Sequence, residues 1–311
     1  STTFIETLGL GTDAHDAALD SNGNIYVVGG NTDQTLAKFS SSGVEQWSKK
    51  WGGTSSDTAN AVALDSSGNI YVVGHTSSFG LTTNGADQTL VKYNSSGVEQ
   101  WSKVWGGAGS DYADAIALDS GANIYVAGRT DSTGLTSASY DQTLVKYNSS
   151  GVEQWSKVWG GDDLDVTLDM AIDGSGNIYT VGYTASTGLT TNGTDQTLVK
   201  YNSSGVEQWS KVWGGTDVGI LGQGDVARAI ALDASGNIYV AGEAVSTGLT
   251  SGSSDQSLVK YNSSGVEQWS KTWGGTGEED VGDITLDNNG DIYVVGRSNS
   301  TGLSSDNGLI N

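Results

Sequence analysis

An all-β chain of six similar units, each with four antiparallel strands, is predicted by three observations in the sequence. The phrase DQTLVKYNSSGVEQWSKVWGG begins at Asp87, Asp141 and Asp195 without a change, and altered copies begin at Asp33 and Asp255. A second phrase, DxxGNIYVVG with small variations, recurs six times, marked by Ile25, Ile70, Ile124, Ile178, Ile238 and Ile292 at separations of 45, 54, 54, 60 and 54 residues. The 311 residues include 46 Gly, no Pro and only 16% charged side chains, a composition of short strands and many turns.

The third unit shows how the strands follow one another. Ala-Ile-Ala-Leu at 115–118 alternates small and large and is closed by Asp119-Ser120-Gly121, after which 123–128 forms a second β-rich run, completing a hairpin. A polar segment, 129–138, leads to Thr-Leu-Val-Lys-Tyr at 143–147, the turn Asn-Ser-Ser-Gly at 148–151, and a last run at 152–159 ending in Gly160-Gly161. One such sheet cannot bury both faces alone, and six of them fit a six-bladed β-propeller with blades at 12–53, 54–107, 108–161, 162–215, 216–275 and 276–311 plus 1–11. Trp101 and Trp105 lie four apart on one strand and share a face, so they can wedge against the next blade.

The two ends read as parts of one unit. Residues 4–9 repeat the spacing of 269–274, and 308–310 stand where a third strand begins, so the last blade is expected to be completed by the N-terminal strand. That strand can come from the same chain or, by exchange, from another copy. Ser1 is not a Met and no signal-peptide pattern follows it, so the chain is expected to be processed, tagged or excised from something longer.

The pattern GGxxxDxAxAIALDSSGNIYVVGxTxSTGLT followed by DQTLVKYNSSGVEQWSKVWGG resembles the bacterial SBBP β-propeller repeat over nearly the whole chain, and its hairpin is more distantly similar to NHL-type propellers. That family typically has Phe-Pro where this chain has Gly-Leu, as at Gly134-Leu135, a departure confined to a loop. The resemblance implies an exported or surface-attached bacterial propeller and carries no common catalytic motif to transfer.

Thirty-six acids against fourteen bases leave a net charge of −22, which repels phosphate backbones and anionic headgroups, so neither nucleic acid nor a membrane surface is an expected partner. No apolar run approaches the roughly 18 residues that span a bilayer. The absence of Cys excludes disulfides, thiolate metal sites and Cys nucleophiles.

Because strands alternate in direction, the two long connections of every blade share one face, and there the copies disagree. After the second-strand Gly stands Gly30, His75, Arg129, Tyr183, Glu243 or Arg297; near the start of the inner strand, His15, Asn60, Asp114, Leu168, Arg228 or Gly282; one step later, Asp16, Ala61, Ala115, Asp169, Ala229 or Asp283. All eleven Lys belong to the repeated third and fourth strands, whereas all three Arg occupy copy-specific positions. Candidate ligand-binding residues are therefore His15, Asp16, His75, Asp114, Arg129, Tyr183, Arg228, Glu243 and Arg297, joined by Tyr112 and Tyr140. A short connection at Asn31-Thr32 and a long one at 216–224 would add a notch and a flap, and neutral loop drift is the competing explanation for all this variation.

Calcium is the candidate cofactor, from Asp162, Asp163, Asp165 and Asp169 in one unit and Glu278, Glu279, Asp280 and Asp283 in another, against the reading of these as solvated acids. The recurrent DSSGN turns lack carboxylates at alternate positions and read as turn formers, as do the Asn-Ser-Ser sequons at Asn94, Asn148, Asn202 and Asn262. Strict repetition assigns the Trp pairs to packing rather than to sugar platforms. His15, Asp16 and His75 could form an acid–base group, but no nucleophile elbow, phosphate loop or His-Glu metal motif accompanies them. The function expected is a non-catalytic extracellular or cell-surface module that binds carbohydrate or protein through the variable face or serves structurally. The alternatives are a filament or sheath subunit assembled by exchange of its N-terminal strand, and a calcium-dependent hydrolase.

Overall fold

The structure, a computed structural model, describes residues 13–82, 85–132, 139–190, 193–215, 224–245 and 254–300, together with the short strand Leu309–Ile310. These residues form strands and turns, with no helix among them. The chain divides into two compact units, Ser1–Val158 and Trp159–Asn311, built of antiparallel sheets in which consecutive strands are neighbours.

The first unit holds three sheets. They are β1–β4 (Ala14–Leu19, Ile25–Gly29, Gln34–Phe39, Glu45–Trp51), β5–β8 (Asp57–Leu64, Ile70–Thr76, Asp87–Tyr93, Glu99–Trp105) and β9–β12 (Asp111–Leu118, Ile124–Thr130, Asp141–Tyr147, Glu153–Trp159). In the second unit β13–β16 (Asp165–Ile172, Ile178–Thr184, Asp195–Tyr201, Glu207–Trp213) and β17–β20 (Val226–Leu232, Ile238–Ala244, Asp255–Tyr261, Glu267–Trp273) precede the three-stranded β21–β23 (Glu279–Leu286, Ile292–Ser298, Leu309–Ile310). The third strand expected at the C-terminus is present, with Ile310 paired to Ile292. The expected closing strand at 4–9 and the flap at 216–223 lie outside the described residues.

Second strands read as continuous apolar runs, and in the first five sheets both of their faces are covered. Tyr26, Val28 and Leu36 of the first sheet pack on Ala59, Val62, Ile70, Val72, Val91 and Tyr93 of the second. From the other side of the second sheet, Tyr71, Val73 and Leu90 pack on Ala113, Ile124, Val126, Val145 and Tyr147 of the third. In the second unit Tyr179, Val181 and Leu198 meet Ile230, Ile238, Val240 and Tyr261 in the same way, and Tyr239, Ala241 and Leu258 meet Val281 and Ile284.

The repeated phrase supplies both sides of these contacts. The Trp101 ring, 6.3 Å from Tyr71 of its own sheet, lies over the turn of the next, where a Cβ on Gly151 would stand 3.1 Å from it. Trp47 meets Gly97, and Trp209 meets Gly265, in the same manner. Each of these glycines also has a left-handed backbone, φ 73 to 75°, so the turn and the ring both require Gly. Gln88 Nε2 donates across to Thr143 Oγ1 at 3.2 Å and Gln196 Nε2 to Ser257 Oγ at 3.3 Å, while Lys92 reaches Ser149 O and Lys200 reaches Ser263 O at 3.2 and 3.1 Å.

Two side chains of β22 are exposed where their counterparts in the preceding sheet are buried. Tyr293 and Val295 are 36% and 59% exposed, whereas their counterparts Tyr239 and Ala241 are 5% and 0%. At the start of the chain's first sheet, Leu19 is 69% exposed.

Candidate functional site

The copy-specific side chains sit at a bulge that every sheet repeats. Ala113 pairs with Gly128 and Ala115 with Ala127, so Asp114 is an extra residue in the inner strand. The same skip places His15, Asn60, Leu168, Arg228 and Gly282 at bulges in their own sheets. A bulge brings the carbonyl before it down on the neighbouring strand: a Cβ on Gly29, Gly74, Gly128, Gly182, Gly242 or Gly296 would overlap the carbonyl oxygen of the residue two before the bulge. The Gly of the repeated second strand is thereby explained, and the residue freed from pairing is re-aimed. Constant backbone and variable side chain meet there.

In the first unit these positions converge. The His75 ring stands edge-on to Tyr112, centroids 4.7 Å apart, and Tyr112 lies 5.9 Å from Tyr140. The Arg129 guanidinium covers both tyrosines, 4.6 and 5.8 Å from their centroids, and its Nη1 donates to Asp114 Oδ2 at 3.1 Å. Asn60 Nδ2 donates to Ala113 O at 2.9 Å, and His15 Nδ1 lies 2.9 Å from Ala59 O. Burial pushes the Asp114 carboxyl up to about 6 against the pull of Arg129. Burial and then Arg129 push the His75 imidazole down to about 4, with Asp57 opposing and His15 adding to the effect. His75 is thus neutral at pH 7, and its buried Nδ1 has no partner among the described residues.

The other predicted residues serve as braces. Asp16 accepts from Ala17 N at 2.7 Å and, through its second oxygen, from Val62 N of the next sheet at 2.9 Å. Asp169 repeats this with Met170 N and Ile230 N at the same distances. Arg228 makes a fork to Glu243, 3.0 and 2.9 Å, and Glu243 Oε1 also accepts from Val281 N of the next sheet at 3.2 Å. Burial opposes the Arg228 charge, but Glu243, then Asp280 and Tyr183, outweigh it and raise its affinity for the proton. Tyr183 thus lies within electrostatic reach of Arg228, and Arg297 pairs with Asp280.

The acids grouped by sequence as calcium candidates are not gathered. Asp162 accepts from Thr187 N and its hydroxyl, Asp163 from Leu164 N, and Asp165 from Gly161 N and Ser186 Oγ. Asp280 faces Arg297, and Asp283 accepts from Ile284 N. Among the described residues no group of three His, Asp or Glu side chains is placed to hold a metal ion. The turn acids are likewise engaged: Asp119 accepts from Gly121 N, Asn123 N, Asn123 Nδ2 and Tyr125 OH at 2.8 to 3.1 Å. A cleft of about 280 Å³ between the second and third sheets is lined by repeated residues such as Gln88, Trp105, Asp111 and Val145, which makes it a feature of the framework.

The sequence singled out Tyr112, Tyr140, His75, Arg129 and Asp114, but could not show that they touch. The available signal was that all five fall at copy-specific positions of two neighbouring copies.

With fold and site in view, the comparisons can be set beside them: the model of the SBBP β-propeller repeat matches residues 46–80 and 268–304, so the chain carries SBBP-type repeats in those two segments. It is similar to a crystal structure of a protein of unknown function from Bacteroides caccae, at 13% identity and a TM-score of 0.53, with 89% of this chain and 84% of that one covered. It is also similar to a structure described as the extracellular domain of a hybrid two component system from B. thetaiotaomicron, at 12% identity and a TM-score of 0.51, with 92% of this chain and 31% of that one covered. Such identities show the fold alone. Among curated proteins, the regulatory protein FlaEY of Caulobacter vibrioides is 26% identical over 191 residues, 52% of this chain and 19% of that protein. The chain therefore spans about a fifth of that relative's length. No helix among the described residues is long and apolar enough to cross a membrane.

Proposed function

We propose that the six sheets are blades of one propeller, and that the protein is a non-catalytic extracellular or cell-surface module binding saccharide through the bulge-bearing face of its first unit. The single observation that carries this reading is the Tyr112–Tyr140–Arg129–His75 cluster. Two aromatic rings and several hydrogen-bonding groups meet at positions where the repeats otherwise differ without pattern, while Trp rings of the repeated strands are occupied in packing. Aromatic faces beside fixed polar groups suit the apolar face and hydroxyls of a sugar ring. A glycan array probed with the wild-type chain and with Tyr140→Ala tests it: retained glycans that the variant loses support the reading, and an array that retains nothing overturns it.

A second reading, assembly between copies by exchange of the N-terminal strand, is favoured by the exposed Tyr293 and Val295 of β22 and by Leu19. Sedimentation of the chain with and without residues 1–8 tests that reading: loss of oligomers on deletion supports it, and a monomer in both cases overturns it.

A further inference from the structure

We propose that the Tyr112–Arg129 cluster reads a carboxylate, and that the ligand of this face is a short acidic saccharide, a hexuronate; this rests on the saccharide reading above.

The three arginines of the chain are not equivalent. Arg228 spends Nε and Nη2 on Glu243, and Arg297 turns Nε and Nη2 on Asp280. Arg129 gives Nη1 to Asp114, and among the described residues its Nε and Nη2 make no further bond. Its side chain is 26% exposed, and one edge of the guanidinium is anchored on Asp114. The plane is meanwhile held against Tyr112 and Tyr140. A stacked, anchored guanidinium has its fork set before a ligand arrives, which is the arrangement suited to a planar carboxylate.

The surroundings select a sugar acid over an acidic peptide. Asn60 uses its amide nitrogen on Ala113 and Asp114, leaving its amide oxygen to accept from a hydroxyl. His75 adds a neutral ring held edge-on to Tyr112. Polar groups of this kind beside two aromatic rings address hydroxyls and ring C–H bonds. The net charge of −22 disfavours long polyanions, so short oligomers are the matching ligands.

Calorimetric titration of the full chain at pH 7 with trigalacturonate, neutral galactotriose and triglutamate tests the proposal, using wild type, R129K and D114N. The expected result is at least tenfold tighter binding of trigalacturonate than of galactotriose, a preference lost in R129K, which keeps the charge but not the fork, and increased in D114N, whose amide oxygen can still accept from Nη1 while the competing negative charge is removed; an unchanged or lowered preference in D114N overturns the inference. Equal binding of the two sugars by wild type, or an R129K variant that keeps the preference, overturns the carboxylate inference while leaving the saccharide reading standing. Binding of triglutamate above both sugars, or of no sugar at all, overturns the two together. Should R129K not fold, the D114N comparison decides alone.

Discussion

Gly128 lies directly beneath the carbonyl oxygen of Tyr112, leaving no room for a side chain. The same contact forces Asp114 out of register and toward Arg129. Gly128→Ala must therefore push the strands apart, at a cost of about 3 kcal/mol. We expect a lowered melting temperature by circular dichroism; an unchanged one would mean that the bulge is not what the Gly serves.

Ala122 is the only described non-glycine residue with a left-handed backbone, φ 57°. The third copy reads Asp-Ser-Gly-Ala-Asn where its neighbour reads Asp-Ser-Ser-Gly-Asn, so a methyl group stands where the turn wants none. Ala122→Gly should stabilise the chain by about 0.5–1 kcal/mol, the relief of the left-handed penalty less the entropy that Gly adds to the unfolded chain. Urea midpoints of the two proteins check this.

Trp101 bridges its own sheet and the next, whereas Val98 on the same rim is 54% exposed. Trp101→Ala should cost about 3–5 kcal/mol, and Val98→Ala almost nothing. A Trp101→Ala protein of native stability that had lost ligand binding would reassign the repeated Trp rings from packing to recognition.

Two groups of the cluster titrate with opposite sign. His75 is held from 6.5 down to about 4 by burial first, so an unfolded chain takes up a proton that the folded one refuses, and stability is lost as pH falls through that window. Asp114 is raised from 3.8 to about 6, again by burial first, so the folded chain holds an extra proton and stability is lost as pH rises between those values. His75→Gln should flatten the loss of stability below pH 6.5, and Asp114→Asn should steepen it. Melting temperatures recorded from pH 4 to 7 on wild type and both variants give the comparison.

Because Asp162, Asp163, Asp165 and Asp169 bond to separate turn and sheet donors, calcium has no prepared cage among them. Adding calcium after EDTA should leave the melting temperature unchanged, and a rise would favour the metal-dependent alternative.

The strands were legible in the sequence because repetition aligns the copies: Ile70 and Tyr71 fall on opposite faces in the structure as alternation requires, and the stub at Leu309–Ile310 pairs as its position suggests. The site was legible only as a set of positions. The sequence lines up His15, Asn60, Asp114 and Arg228 but cannot show that each is an extra residue in its strand, since a bulge depends on the backbone of the neighbouring strand. Asp16 and Asp169 illustrate the consequence. They vary between copies like ligand contacts, yet their second oxygens accept from the next sheet and hold it in place.

The most direct measurement is a two-dimensional amide and side-chain NMR map of the labelled protein titrated with a retained glycan. Shifts gathered at Asn60, His75, Tyr112, Arg129 and Tyr140, with the indole signals of Trp47, Trp101 and Trp209 unmoved, are the predicted outcome. Shifts centred on those indoles would contradict the account.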